Sequence, residues 1–191
     1  MNRRDRVPES TPRLDPRAPF VVDTRELSRR PGSMRGVTRT VPAPEGMALD
    51  VIGVPVGSDV ALDLRLEAVM EGVLVSGTAE VHIAGECVRC LEPLEDDLVV
   101  DVQELYAYPG SSSADADEDE VHHLEGDLLD LEPVVRDVVV LALPLQPVCE
   151  EDCPGLCVEC GARLAEDPDH RHDALDPRWA ALGGLLDGRE R

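Results

Sequence analysis

The chain of 191 residues contains no lysine, and aromatic residues make up only 2% of it. Valine, leucine and alanine must therefore fill the interior. The longest uncharged apolar run, at 138–145, is far shorter than the roughly 18 residues that a membrane span needs. The N-terminus is rich in arginine and proline and lacks the apolar run of a secretion signal. We expect a cytoplasmic protein with no membrane span.

Positive charge is scarce and unevenly distributed. The formal net charge is -22, whereas residues 1–40 hold ten arginines against five acidic residues, which leaves -27 for the rest. A body this acidic repels phosphate backbones and lacks the aromatic side chains on which single-stranded RNA stacks. We expect the body to bind a basic polypeptide, with rRNA contacted only through the arginine-rich arm. The alternative is that the acidic surface serves solubility alone.

The length of the chain predicts a single domain, which we place at 19–191. Residues 1–18 lack apolar periodicity and predict a disordered arginine- and proline-rich arm. Within the domain, the low-complexity acidic segment 109–120 has nothing to bury and predicts a loop. A cysteine- and histidine-rich region follows at 149–172.

Alternation of apolar and polar residues predicts an antiparallel β-sheet. It runs over 59–68 and again over 73–83, which is typical of a β-hairpin with one buried face. A third alternating run, 94–108, extends this sheet. Residues 19–30 predict a short strand that leads into a helical turn.

Two segments have helical spacing. Apolar residues recur in 127–144 at intervals of three and four, with Asp130 placed to cap a helix and Pro133 in its first turn. A buried strand is the alternative there, because a valine-rich run of this length lacks decisive periodicity. In 176–188, Asp176 is the expected cap, and an apolar stripe predicts a helix that docks on the domain.

All six cysteines lie in two regions of the chain. Cys87-x2-Cys90 lies between two predicted strands, and Cys157-x2-Cys160 is followed by a glycine in a turn-rich stretch. Such pairs are a strong zinc signal, because two thiolates on a tight turn span one edge of a tetrahedron and cytoplasmic thiols stay reduced. A single conventional zinc ribbon is disfavoured, since 66 residues separate the two pairs.

Counting ligands predicts two tetrahedral sites. Two further cysteines and a His-x-His pair bring the number of candidate ligands to eight. The preferred partition joins Cys87, Cys90, Cys149 and Cys153 in one site, and Cys157, Cys160, His170 and His172 in a second, local knuckle. One site formed by the four cysteines of 149–160 is the alternative. For the histidines, exposed loop positions without a ligand role are the alternative.

Catalysis is a poor explanation for these cysteines. A redox C-x2-C needs a helix N-terminus in a βαβ setting, whereas Cys87 and Cys90 lie between predicted strands. Cysteine–histidine hydrolysis needs a base, for which His82, His122 and His123 qualify only by default. No G-x-S-x-G, phosphate-loop or H-E-x-x-H motif is present in the sequence. We expect no enzymatic activity and no small-molecule substrate.

Four blocks of sequence resemble a known family. They are CVRCLEPLE at 87–95, EGDLLDLEPVVRDVVVLALPLQPVC at 125–149, CPGLCVECGARL at 153–164 and DPRWAAL at 176–182. In this order they resemble the bacterial YceD family, the large-subunit (23S) ribosomal RNA accumulation proteins. The resemblance implies a non-enzymatic role in ribosome biogenesis. Many relatives carry Cys-x-Cys where this chain has His170-Arg171-His172, an exchange that favours a ligand role for the pair.

Two functional hypotheses remain open. The first is a ribosome biogenesis factor that binds a basic ribosomal protein or a pre-ribosomal particle, with one or two structural zinc ions. Its partner-binding carboxylates would be Glu92, Glu95, Asp96 and Asp97. The alternative is a zinc-binding adaptor or regulator unrelated to the ribosome. The expected fold is α+β, with an antiparallel β-sheet core, a packed helix and a zinc-stapled C-terminal knuckle region.

Overall fold

The computed structural model describes residues 14–27, 29–110 and 121–172. The elements in these ranges are β1 (Val21–Asp23), β2 (Met34–Pro42), β3 (Ile52–Gly53), β4 (Asp59–Ala68), β5 (Gly72–Glu86), β6 (Pro93–Ala107), β7 (Leu128–Asp130) and α1 (Glu132–Ala142). No helix in the described parts of the chain is long and apolar enough to cross a membrane. The helix predicted at 176–188, most of the predicted arm and most of the predicted acidic loop lie outside the described residues.

The main sheet is built around β5, which is 15 residues long. Strands β4 and β6 pair with it in antiparallel register, with Val60 opposite Val81 on one side and Asp97 opposite His82 on the other. Strand β2 extends the sheet beyond β4, and the short β3 pairs with the end of β5. The structure confirms the antiparallel sheet that the alternating runs predicted.

One face of the main sheet is buried and the other is open. The inward side chains of β4 and β5 are mostly valine and leucine, and each contributes roughly 1.5–3 kcal/mol when fully buried. A second sheet, formed by β1 and β7, adds apolar side chains to the same core. The helix α1 adds Val134, Val135 and Val139. The open face is the outer surface of β2, β4, β5 and β6.

Strand β2 was missed by the sequence analysis because two arginines occupy its inward positions. The Arg39 guanidinium donates to the carbonyl oxygens of Pro19 and Val21, both at 3.1 Å. The Arg35 guanidinium donates to the carbonyl oxygen of Asp23 at 3.1 Å. Both guanidinium groups therefore bind backbone carbonyls in or just before β1. At this edge of the core, hydrogen bonds from arginine take the place of apolar contacts.

Segment 127–144 contains both a strand and a helix. Its first residues form β7, which pairs with β1, and α1 follows directly. The Asp130 carboxylate accepts a hydrogen bond from the Glu132 N–H at 2.9 Å, and Pro133 lies in the first turn. The helix predicted for the valine-rich run is confirmed and the strand alternative is wrong there, since the strand ends at Asp130; the N-cap is Leu131 and not the predicted Asp130.

Tyr106 ties the main sheet to the start of α1. Its hydroxyl donates to the carbonyl oxygen of Asp130 at 2.7 Å, the residue is 2% exposed, and burial raises the pKa of the phenol. We expect Tyr106→Phe to lower the free energy of unfolding by about 1–2 kcal/mol, because a buried carbonyl loses its donor. Urea unfolding measures this. The control Tyr108→Phe should cost less than about 0.5 kcal/mol, and equal losses would contradict the assignment.

Candidate metal centres

The eight cysteines and histidines singled out in the sequence form two groups of four. Within each group the candidate ligand atoms all lie within 4.8 Å of one another. The first group, here the buried site, contains Cys87, Cys90, Cys149 and Cys153. The second, here the exposed site, contains Cys157, Cys160, His170 and His172. The four cysteines of 149–160 are thus divided between the sites, and each group could hold a metal ion.

Sulfur distances in the buried site match a tetrahedron around a metal. Cys87 Sγ lies 3.8 Å from Cys153 Sγ, and Cys90 Sγ lies 3.6 Å from Cys149 Sγ. A tetrahedron with metal–sulfur bonds near 2.3 Å has edges of about 3.8 Å. All six cysteines are free thiols. The geometry therefore fits a four-coordinate ion.

The turn between β5 and β6 presents the first two thiols of the buried site. The Cys87 N–H donates to the Glu92 carbonyl at 2.8 Å, and the Leu91 N–H donates to the Cys87 carbonyl at 2.9 Å. Leu91 has a φ of 58°, a left-handed conformation that is unusual for a non-glycine residue. Arg89 N–H also lies 3.4 Å from Cys87 Sγ. The turn holds both thiols on one side of the backbone.

The second C-x2-C pair repeats this turn at the exposed site. The Cys157 N–H donates to the Ala162 carbonyl at 2.8 Å, and the Gly161 N–H donates to the Cys157 carbonyl at 2.8 Å. Gly161, with a φ of 74°, occupies the position that Leu91 has in the first turn. Two segments far apart in sequence therefore build the same cysteine-presenting turn.

Backbone amides favour the ionised form of the first cysteine in each pair. For Cys87, burial acts to raise the pKa, but backbone N–H groups, that of Cys90 foremost, lower it to about 6. Backbone N–H donation by Glu159 lowers the pKa of Cys157 to about 6 as well. The thiolate is the form that binds metal. Each turn therefore prepares a ligand through its own backbone.

Both histidines of the exposed site direct Nε2 towards the ligand group. Each Nε2 lies 3.2 Å from Cys160 Sγ, and the two Nε2 atoms are 2.9 Å apart. The other ring nitrogens face carboxylates, with His170 Nδ1 3.8 Å from Asp167 and His172 Nδ1 3.5 Å from Glu159. A carboxylate behind the ring is usual for metal-binding histidines. This arrangement favours a ligand role over a plain loop position.

Sequence reasoning missed these carboxylates and the residue that joins the two sites. The Arg89 guanidinium donates to the carbonyl oxygens of Glu151 and Cys153, both at 3.1 Å. The Arg89 carbonyl in turn accepts the Leu156 N–H at 3.1 Å. The spacing of three between Asp167 and His170 was a usable signal. For Arg89 the sequence offered none, since its acceptors are backbone atoms some 60 residues away.

The four carboxylates predicted to bind a partner do not form one surface. Glu95 and Asp97 lie on the open face of the sheet. Asp96 is exposed on the opposite side. Glu92 forms an ion pair with Arg163, which links the two cysteine turns. Three of the four carboxylates predicted from the sequence therefore lie on two different faces of the sheet, and the fourth forms an ion pair within the protein.

Comparison with known proteins places the chain in a family. The profile described as Large ribosomal RNA subunit accumulation protein YceD matches residues 75–186. The uncharacterized protein Rv2926c of Mycobacterium tuberculosis is 46% identical over 170 residues, which cover 88% of this chain and 82% of that protein. The uncharacterized protein ML1660 of Mycobacterium leprae is 41% identical over 170 residues, which cover 88% of this chain and 78% of that protein.

A more distant relative is the uncharacterized protein YlbN of Bacillus subtilis. It is 30% identical over 115 residues, which cover 54% of this chain and 63% of that protein. No solved structure matches the chain. The family match takes in the β5–β6 turn, α1 and both candidate metal sites. The chain belongs to the YceD family of large ribosomal RNA subunit accumulation proteins.

Proposed function

We propose that this protein is a non-enzymatic ribosome biogenesis factor of the cytoplasm that supports the accumulation of 23S rRNA. It does so by binding a basic large-subunit ribosomal protein, free or in an immature particle. Membership of the YceD family carries this proposal, because the family description names accumulation of the large ribosomal RNA subunit. The binding step is inferred from the charge of the surface.

Zinc is the metal that we propose for both sites. Four thiolates, or two thiolates with two imidazoles, are the usual donor sets of structural zinc, and neither leaves a coordination position open for substrate. Zinc would neutralise the thiolates and hold the C-terminal segment against the β5–β6 turn. Its role would be to fix the shape of the binding surface.

The open face of the sheet supports a basic partner. Its exposed carboxylates include Asp59, Asp63, Glu80, Glu95, Asp97 and Asp101. Among the described outward-facing residues of β2, β4, β5 and β6, the basic side chains are Arg65 and His82. A negatively charged surface attracts a positively charged partner over long distances and raises the association rate. This increase is larger at low salt.

Removal of the protein from its bacterial host tests the cellular role. We expect 23S rRNA to fall relative to 16S rRNA, and the wild-type chain to restore it. Total RNA separated by electrophoresis measures the ratio. An unchanged ratio in cells lacking the protein would refute the proposed function.

Affinity capture at low and high salt tests the binding step. We expect large-subunit ribosomal proteins among the captured partners, in amounts that fall as ionic strength rises, since the attraction is screened. A chain lacking residues 1–18 should lose RNA and keep the protein partners. Capture without ribosomal components would instead favour the adaptor hypothesis.

A further inference from the structure

A groove lies between one end of the main sheet and segment 144–149, which connects α1 to the buried site. Its volume is about 360 Å³, within the range that binding sites usually occupy. The floor is apolar and is formed by Ile52, Ile83 and Leu94, while prolines of segment 144–149 contribute to the wall. The groove therefore has an apolar floor at the edge of the protein core.

The rim of this groove is acidic. Asp96 lines it from the inward side of β6, the adjacent Glu95 has its side chain on the open face, and none of the described lining residues is basic. Asp96 lies opposite Ile83 on the inward side of β6, in the row that continues with Leu98 and Val100. An aspartate in such a row interrupts the apolar pattern, which natural sequences do mainly for function.

Asp96 has no ion-pair partner in the parts of the chain that the structure describes. Its carboxylate accepts only a local hydrogen bond, from the Asp97 N–H at 2.9 Å. A cationic group entering the groove would meet this carboxylate. The same charge disfavours the phosphates of nucleic acids and anionic lipids, so the rim selects for cations.

We propose that the groove binds an extended segment of a basic protein, with an aliphatic side chain on the apolar floor and an arginine or lysine at Asp96. This deepens the proposed function by adding one specific contact to the long-range attraction of the open face, and only the ribosomal identity of the partner rests on that function. Leu145, between two lining residues in sequence, is 83% exposed and adds apolar surface beside the groove.

The wall of the groove is held in place before any partner arrives. The Val88 N–H donates to the Pro147 carbonyl at 2.9 Å, and Cys149 at the end of the wall belongs to the buried site. A preformed wall lowers the entropy lost on binding. The wall therefore favours one bound conformation of the partner segment.

Two synthetic peptides of equal length and charge test the groove on the full chain. One alternates arginine with leucine, and the other alternates arginine with serine. We expect the leucine peptide to bind about tenfold more tightly, because the floor buries an aliphatic side chain that serine lacks. Fluorescence anisotropy measures both dissociation constants.

Two variants with matched controls locate the binding. Asp96→Lys reverses the rim charge and Gln146→Trp fills the groove. We expect each to raise the dissociation constant of the leucine peptide about tenfold. Glu71→Lys and Met70→Trp make the same kinds of change in the turn between β4 and β5, at the other end of the sheet, and should stay within about threefold of wild type. Circular dichroism checks that all four variants are folded.

Three results would refute binding in the groove. Equal affinity for the two peptides would show that the apolar floor does not contribute to binding. Equal losses in Asp96→Lys and Glu71→Lys would assign binding to the overall acidic field. Unchanged affinity in both Asp96→Lys and Gln146→Trp would show that the peptide binds outside the groove. None of these depends on rRNA levels, so a failure here is distinct from an unchanged 23S ratio in the cell.

Discussion

Cys90→Ser is expected to lower the melting temperature by at least about 10 °C, as is Cys153→Ser. The two residues lie far apart in the sequence and belong to one four-thiol group. Metal binding at a structural zinc site supplies roughly 10–16 kcal/mol in small domains, and losing several of these shifts the melting temperature by about 2–4 °C per kcal/mol in a chain of this size. Thermal unfolding followed by circular dichroism measures the shift.

The double variant decides whether the two cysteines share one ion. If they do, Cys90→Ser with Cys153→Ser should be no less stable than either single variant, because the ion is already lost. Additive losses would place the residues in different sites. The control Cys160→Ser should cost less, since its site is exposed and lies outside the main core.

Purified protein is expected to carry two zinc ions and to release them to a colorimetric chelator in two phases. The exposed site has Cys160 and His172 at the surface, whereas Cys87 in the buried site is 0% exposed. In the buried site Cys149 is exposed and the other three cysteines are buried, so we expect release of its ion to require local unfolding. We expect this phase to be at least about tenfold slower, which corresponds to an opening free energy about 1.4 kcal/mol higher.

Variants assign the two phases of release. Cys160→Ser should remove the fast phase and leave one zinc ion per chain, whereas Cys90→Ser should remove the slow phase. Elemental analysis after purification without chelator gives the stoichiometry. Less than a tenth of an equivalent of zinc in the wild-type protein would refute the metal assignment, and release in one phase would refute the difference between the sites.

The sequence predicted those features that depend on local periodicity and on ligand chemistry. The strands over 59–68 and 73–83 have one buried and one open face, so their side chains alternate with a period of two. The two ligand groups followed from counting tetrahedra, because cysteine and histidine in this spacing have few other uses. The resemblance to the YceD family rested on several blocks in one order, and the family match confirms it.

Features that depend on distant backbone atoms could not be predicted. Arg35 and Arg39 look like surface residues in sequence, yet they lie inward on β2 and bind backbone carbonyls. Asp96 looks like its neighbours Glu95 and Asp97, and only the register of β6 separates the two faces. The groove itself exists because segment 144–149 returns to the end of the sheet, which no local pattern encodes.

The separation of ligands along the chain makes the two sites differ in the chain entropy that their assembly costs. Cys160 and His170 are ten residues apart, whereas Cys90 and Cys149 are 59 apart. Closing the longer loop costs about 1.6 kcal/mol more chain entropy. During synthesis all four ligands of the buried site have been made once Cys153 is added, before the first ligand of the exposed site, so loop closure and not the order of synthesis slows the buried site. A chain with an ion in the buried site has therefore been synthesised beyond segment 144–149, the wall of the groove. In a chain whose synthesis stops earlier, Cys87 and Cys90 remain free thiols.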